Sequence, residues 1–266
     1  MDRAAPAPRG QVLLGVFAHP DDESLACGGL LSRCAATGAA VTLLCLTRGE
    51  GGPGSVAATD DDEAAARRRL GERRTRELDA AARVLGVSDL VVLDHADGML
   101  PWIDAAVLEA DIHRAVERLR PDVVVTFGPD GLYWHPDHIS VYERTTAVVA
   151  SMGAEAPALY YVTMPPGQMR AVAEHAGAAA EVVPGLGDPD AFGALAEAPS
   201  LVVDAGEFSV RKLTALLCHR SQMAASPIAA ILPEDAARLL GIEHFRRAAV
   251  GTCGPTFIDS FASLPD

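Results

Sequence analysis

The chain has 266 residues, enough for one larger α/β domain or two small ones, and 49% of them are apolar, so a sizeable core can form. The formal net charge is −14, which disfavours nucleic-acid binding, because such a surface must be basic to neutralise phosphates. No apolar run approaches the roughly 18 residues of a membrane span. The first residues, Met1 to Gln11, lack the apolar stretch of a secretory leader, so the expectation is a cytosolic protein with no membrane partner.

In chain order, Val12 to Ala18 (VLLGVFA) is a short apolar run without alternation, as suits a strand buried on both faces of a parallel sheet. Helical spacing follows from Asp21 to Ala36, then a second buried strand from Ala40 to Thr47 (AVTLLCLT). Arg48 to Thr59 is rich in Gly and Pro and reads as a loop. Asp60 to Leu85 reads as a long helix ended by Gly86. Its arginines, Arg67, Arg68, Arg69, Arg73, Arg74 and Arg76, alternate with acids, which predicts a solvated face carrying i,i+4 pairs.

The alternation continues with a strand at Asp89 to Leu93, a helix at Asp104 to Leu119, a strand at Asp122 to Phe127, a helix at His135 to Met152 and a strand at Ala158 to Thr163. Gly167 to Pro199 is irregular and reads as a helix plus a loop on the substrate side. Leu201 to Asp204 reads as a strand and Glu207 to Met223 as one helix. Beyond Pro227 the pattern assigns no element. Strands alternating with helices predict a single α/β domain with a Rossmann-like, doubly wound, mostly parallel sheet and helices on both faces. The five cysteines form no CxxC pair, which excludes a zinc knuckle and a disulfide framework and predicts buried thiols.

Two segments stand out: Ala18-His19-Pro20-Asp21-Asp22-Glu23 and Tyr133-Trp134-His135-Pro136-Asp137-His138. Each follows an apolar strand and opens a helix, with proline at the first helical position and acids in the first turn. In open α/β sheets, ligands bind beyond the carboxyl ends of strands where the strand order reverses. Two strand ends meeting there would bring both segments into one crevice. Adjacent residues on a helix diverge by about 100°, so Asp21 and Asp22 can take different tasks. Two histidines and one carboxylate leave an open coordination position, as a catalytic metal site requires. A neighbouring carboxylate can then take a proton from the attacking water. Either segment alone would also serve as an ordinary capped helix start.

The pair of motifs resembles the LmbE-like, or PIG-L, family of zinc-dependent deacetylases. Thr47-Arg48-Gly49-Glu50, Arg73, Glu77, Leu85-Gly86, Asp97-Gly98 and His219-Arg220-Ser221-Gln222 fit the same pattern, so the resemblance runs from about residue 12 to residue 222. It implies Zn2+ (Fe2+ and Co2+ fit the same ligands) on His19, Asp22 and His138, one ion per chain. It implies Asp21 as general base, His135 as the group that polarises the carbonyl, and Asp137 as orienting a histidine of its own motif. Tyr133 would close over the oxyanion, and Arg48 and Asp97 would meet sugar hydroxyls, although Asp97-Gly98 is equally a turn signal. His219, at helical spacing in an apolar stretch, reads as a core or supporting histidine rather than a ligand. The implied activity is removal of acetyl from an N-acetylglucosamine-type substrate or glycoside. Cleavage of a thiol-conjugate amide or an acylated natural-product intermediate is the neighbouring alternative, and a non-catalytic sugar-binding protein is a third. The implied partner is a small N-acylated molecule, and a homo-oligomer is compatible with this reading. A dinucleotide-dependent oxidoreductase is disfavoured, because HPDDE stands where a glycine-rich turn should be.

Overall fold

A computed structural model describes residues 10–53, 60–178, 180–183, 185–195 and 198–263, with the side chains of 60 and 61 set aside. The elements are β1 (Val12–Phe17), α1 (Asp22–Ala36), β2 (Ala40–Thr47), α2 (Asp60–Leu85), β3 (Asp89–His95), α3 (Ala105–Leu119), β4 (Val123–Phe127), α4 (Gly131–Trp134), α5 (Pro136–Ser151) and β5 (Ala158–Thr163). They continue with α6 (Gln168–His175), β6 (Leu201–Asp204), α7 (Ser209–Cys218), α8 (Arg220–Met223), α9 (Ala236–Leu240) and β7 (Ile242–Gly251).

The strands form one sheet in the order β3-β2-β1-β4-β5-β7-β6. β1 to β5 pair in parallel, and β7 runs antiparallel to both β5 and β6. The apolar runs without alternation thus become strands covered on both sides: Leu13, Leu14, Val16, Val123, Val124 and Val125 are wholly buried. Strand order reverses between β1 and β4. Right-handed crossovers therefore carry α1 and α2 to one face and α3 and α5 to the other, and each pair packs together.

Near residue 27 the first helix departs from the expected regular form. Cys27 has φ −151° inside α1, and Gly28-Gly29 follows. A Cβ at Gly29 would collide with Ala205 and Glu243, so the glycine pair admits a close approach of the C-terminal segment. Glu243 completes it: its carboxylate accepts the Gly29 and Leu30 N–H groups at 2.8 Å each and pairs with Lys212 at 2.8 Å.

Three expectations need correction. The helix expected from Glu207 to Met223 breaks at His219 (φ −78°, ψ 55°) into α7 and α8. The region beyond Pro227 holds the ten-residue strand β7. Thiols are buried only at Cys27, Cys34 and Cys45; Cys218 is half-buried and Cys253 exposed, and all five are free. Of the loop expected at 48–59, residues 54–59 lie outside the described residues. Among the described residues no helix is long and apolar enough to cross a membrane.

Candidate active site

Both motifs emerge at the β1/β4 switch point. β1 ends at Phe17 and β4 at Phe127. The Phe127 ring stacks on His138 at 4.0 Å, seating the imidazole on the sheet end. His138 Nδ1 lies 3.0 Å from the Gly131 carbonyl, so Nδ1 donates and Nε2 keeps its lone pair. Gly131 has φ +53°, and a Cβ there would press on His138 and Ile139. This position therefore requires glycine.

His19 is fixed by the same logic. Its Nε2 lies 3.0 Å from Asp97 Oδ1 and 3.2 Å from Asp137 Oδ2, so Nδ1 faces the other way as an acceptor. That Nδ1 lies 3.1 Å from His138 Nε2, and the Asp22 carboxylate straddles both, at 3.4 Å from His19 Nδ1 and 3.2 Å from His138 Nε2. Four-coordinate bonds of about 2.0–2.1 Å imply ligand–ligand spacings of roughly 3.3 Å. Two imidazole lone pairs and a carboxylate at 3.1–3.4 Å form such a donor set, and the residues fit a divalent metal.

Electrostatics agree. Burial opposes charge on His19, but Asp137, Asp22 and Asp97 outweigh it and hold the imidazole well above its usual pKa. Burial likewise opposes charge on Asp22, yet His138 and His19 hold it well below the usual carboxylate range. The site is built to hold positive charge between these groups. His135 also brings a nitrogen within 4.8 Å of His19 and His138, and His19, Asp97 and Asp137 form a second cluster. In that second cluster both carboxylates address the far side of the His19 ring.

Asp21 stands beside the donor set in a strained backbone, φ 113° and ψ −25°, a region that non-glycine residues rarely adopt. Two clamps hold it. Its N–H donates to Glu23 Oε2 at 3.1 Å, and Glu23 Oε1 in turn lies 3.1 Å from His219 Nε2. Arg74 donates to Pro20 O at 2.6 Å, Gly49 O at 2.8 Å and Asp21 Oδ2 at 3.2 Å. Burial raises the Asp21 pKa, the Arg74 guanidinium lowers it, Asp22 adds to the rise, and the result is above the ordinary value.

His135 caps α5, its Nδ1 accepting the Asp137 N–H at 3.2 Å, which leaves the proton on Nε2. Burial, then the neighbouring His138 and His19, lower its pKa to about 4, so it is a neutral donor near pH 7. Tyr133 lies between Leu132 and Trp134, both with φ 66°. This kinked turn packs its ring against Phe192 at 4.8 Å and His138 at 5.2 Å. Burial holds the phenol protonated by raising its pKa well above 10. A cavity of about 340 Å³ opens from Asp21, Asp22 and Tyr133 toward Phe192 and α7.

Several expected roles shift. Asp137 orients His19, not a histidine of its own motif, because His135 is occupied with the Asp137 N–H; Asp137 also accepts the Gly98 and Leu100 N–H groups at 2.8 and 3.2 Å. The Asp97 carboxylate is used by His19 and by the Gly51 N–H at 2.7 Å, rather than facing a substrate. Burial opposes its charge, but His19 and Gly51 hold its pKa at about 2. Arg48 pairs with Asp94 at 2.9 Å on the surface and does not line the cavity. Arg73 is exposed, whereas Arg74, expected on a solvated face, is only 4% exposed. Arg74 is the group that sequence patterning does not mark, whereas His219, expected as a core or supporting histidine, does support Glu23.

A family profile described as PIG-L, GlcNAc-PI de-N-acetylase, matches residues 14–149. The 1D-myo-inositol 2-acetamido-2-deoxy-alpha-D-glucopyranoside deacetylase 2 of Catenulispora acidiphila is 33% identical over 267 aligned positions, covering 89% of this chain and 88% of that protein. Among solved structures, N,N'-diacetylchitobiose deacetylase from Pyrococcus horikoshii superposes with a TM-score of 0.62 at 20% identity, over 90% of this chain and 84% of that one. The 4-carboxy-2-hydroxymuconate hydratase of Pseudomonas putida does so with the same TM-score, 0.62, at 17% identity, over 92% and 99%. The scaffold alone therefore does not select the reaction; the motifs and the closer relative do. The chain belongs to the PIG-L family and is a metal-dependent amide hydrolase of the deacetylase type.

Proposed function

We propose that the protein is a zinc-dependent N-deacetylase acting on an N-acetylglucosamine-type glycoside, with His19, Asp22 and His138 holding the metal. The observation that carries this reading is the placement of Asp21, a carboxylate outside the donor set, beside three donors that converge within 3.4 Å. A bound divalent ion would supply Lewis acidity and lower the pKa of a coordinated water. Asp21 takes the proton of the attacking water and returns it to the departing nitrogen. Its raised pKa suits both steps, since a base works best with a pKa nearer the operating pH. Arg74 and Glu23 hold Asp21 at one angle, so the base does not turn to pair with His19 or His138. His135 Nε2–H and the Tyr133 hydroxyl donate hydrogen bonds to the carbonyl oxygen as negative charge develops on it. Asp97 and Asp137 keep His19 in the tautomer that leaves Nδ1 free.

The relative from Catenulispora acidiphila deacetylates an inositol glycoside of an acetamido sugar, which favours the amino-sugar class over other amides. Residues 165–200 serve as a substrate-side insertion, since Leu186 and Phe192 reach the cavity. A cytosolic enzyme is consistent with the sequence reading. The test is amine release from N-acetylglucosaminyl glycosides with and without chelator, together with elemental analysis. One zinc per chain and chelator-sensitive turnover are expected; full turnover by metal-free protein would contradict the reading.

A further inference from the structure

The two flanks of the donor set differ in chemistry. On the Nε2 side of His19 lie charged groups: Asp97, Glu50, whose Oε1 accepts the Asp97 N–H at 2.8 Å, and Arg67, 3.4 Å from the Asp97 carbonyl. On the side of Asp21 and Asp22 the 340 Å³ cavity is walled by Leu25, Leu186, Phe192, Leu216, Met223 and Ile228. Leu216, Ile228 and Phe192 are 0%, 2% and 4% exposed, so this wall is fixed by the core. Its neutral polar side chains are few: Gln222, which donates to Ser221 Oγ at 3.1 Å, Ser226, whose Oγ accepts the Ile228 N–H at 3.3 Å, and Tyr133 at the mouth. Sugar hydroxyls placed there would lose water and gain few partners, a net cost. A cavity of this volume lies in the range that takes whole small molecules, about 300–1,000 Å³, far more than one methyl group fills.

We infer that this cavity is an acyl subsite, and that the enzyme favours N-acyl groups several carbons longer than acetyl. The inference rests on the amide-hydrolase reading and names its acyl half. The acyl chain, one bond from the carbonyl carbon, runs past Tyr133 into the apolar wall. The reaction balances as ordinary hydrolysis: water adds to the carbonyl carbon, the C–N bond breaks, the nitrogen takes a proton to leave as the amine, and the acid is the second product.

The experiment compares N-acetyl-, N-butyryl- and N-hexanoylglucosamine on the metal-loaded enzyme. Each added methylene should raise kcat/KM about threefold to fourfold, the value of burying one CH2. A series that is flat, or that falls from acetyl, overturns the inference. Methyl and hexyl glycosides of N-acetylglucosamine form a second arm and should differ little. A rise confined to this arm would put the apolar group on the amine side and overturn the acyl assignment. Calorimetric binding of hexanoate against acetate reads the pocket without catalysis; hexanoate should bind at least about tenfold more tightly, with a more negative heat capacity change. Equal binding overturns the inference. If hexanoate prevails but no amide is cleaved, the hydrolase reading fails and the subsite stands. Met223→Trp, which fills the cavity, should lower the hexanoyl-to-acetyl rate ratio at least about tenfold; an unchanged ratio in a folded variant counts against the subsite.

Discussion

The parallel half of the sheet and its antiparallel edge divide the work. Within the parallel half, β1 and β4 deliver the proposed metal donors, base and carbonyl donor from two contiguous hexapeptides at one switch point. The edge, β7 and β6, with α7, α8 and the segments that join them, supplies single residues scattered over the last third of the chain: His219 behind Glu23, Glu243 behind Gly29, and most of the apolar wall, Leu25 of α1 excepted. Chemistry that needs several groups within about 3 Å of one another is encoded locally, because a strand–helix junction already fixes neighbours in space. Pocket shape and support can be assembled from anywhere, and they are.

The largest effect should come from the local half. His138→Ala should abolish metal binding and turnover together, read by elemental analysis and amine release; turnover surviving without metal would place the chemistry elsewhere. His135→Ala should keep the metal and lose about 10²–10³ in kcat, the usual cost of one donor to a developing oxyanion. Because His135 titrates at about 4, it is neutral on both sides of neutrality, and the loss should be equal at pH 6 and pH 8. A loss confined to pH 6 would mean that its charged form is the working one.

Arg74→Met tests a contact between a catalytic motif and the long helix. The guanidinium lowers the Asp21 pKa, so its removal raises it. The base is then protonated at higher pH, and the acid limb of kcat/KM should move upward by about one unit. A limb that stays in place would separate Arg74 from the base. The smallest effect on kcat should come from the edge. Glu243→Gln breaks a buried pair with Lys212 and should cost about 3–5 kcal/mol of stability, seen as a lower Tm. The folded fraction should retain its kcat; a collapse of kcat at full folding would erase the division of labour.

The legible parts of the fold were those with a period. Uninterrupted apolar strands, the long helix ended by Gly86 and the two motifs announce themselves, and β2, α2, β5 and β6 lie where the pattern puts them. β7 was silent because only Glu243 and Phe245 of its ten residues are buried, and Glu243 and two arginines interrupt its apolar pattern. The break at His219 was silent because its neighbours keep helical spacing. Arg74 was hidden among five other arginines: no composition rule says which of them turns inward, and only the approach of the Gly49 and Pro20 carbonyls does. Asp97 read as a turn residue, and Gly98, with φ +81°, makes the turn. What the turn achieves, aiming a carboxylate at His19, depends on β3 lying two strands away.

The most direct measurement of the central claim is the paired determination of metal content and amine release for Asp21→Asn beside the unaltered enzyme. Asn keeps the size of the side chain and removes the base. The account predicts the same metal per chain and a kcat lower by at least about two orders of magnitude. Unchanged turnover with metal retained would contradict it, since Asp21 would then not be the group that moves the proton.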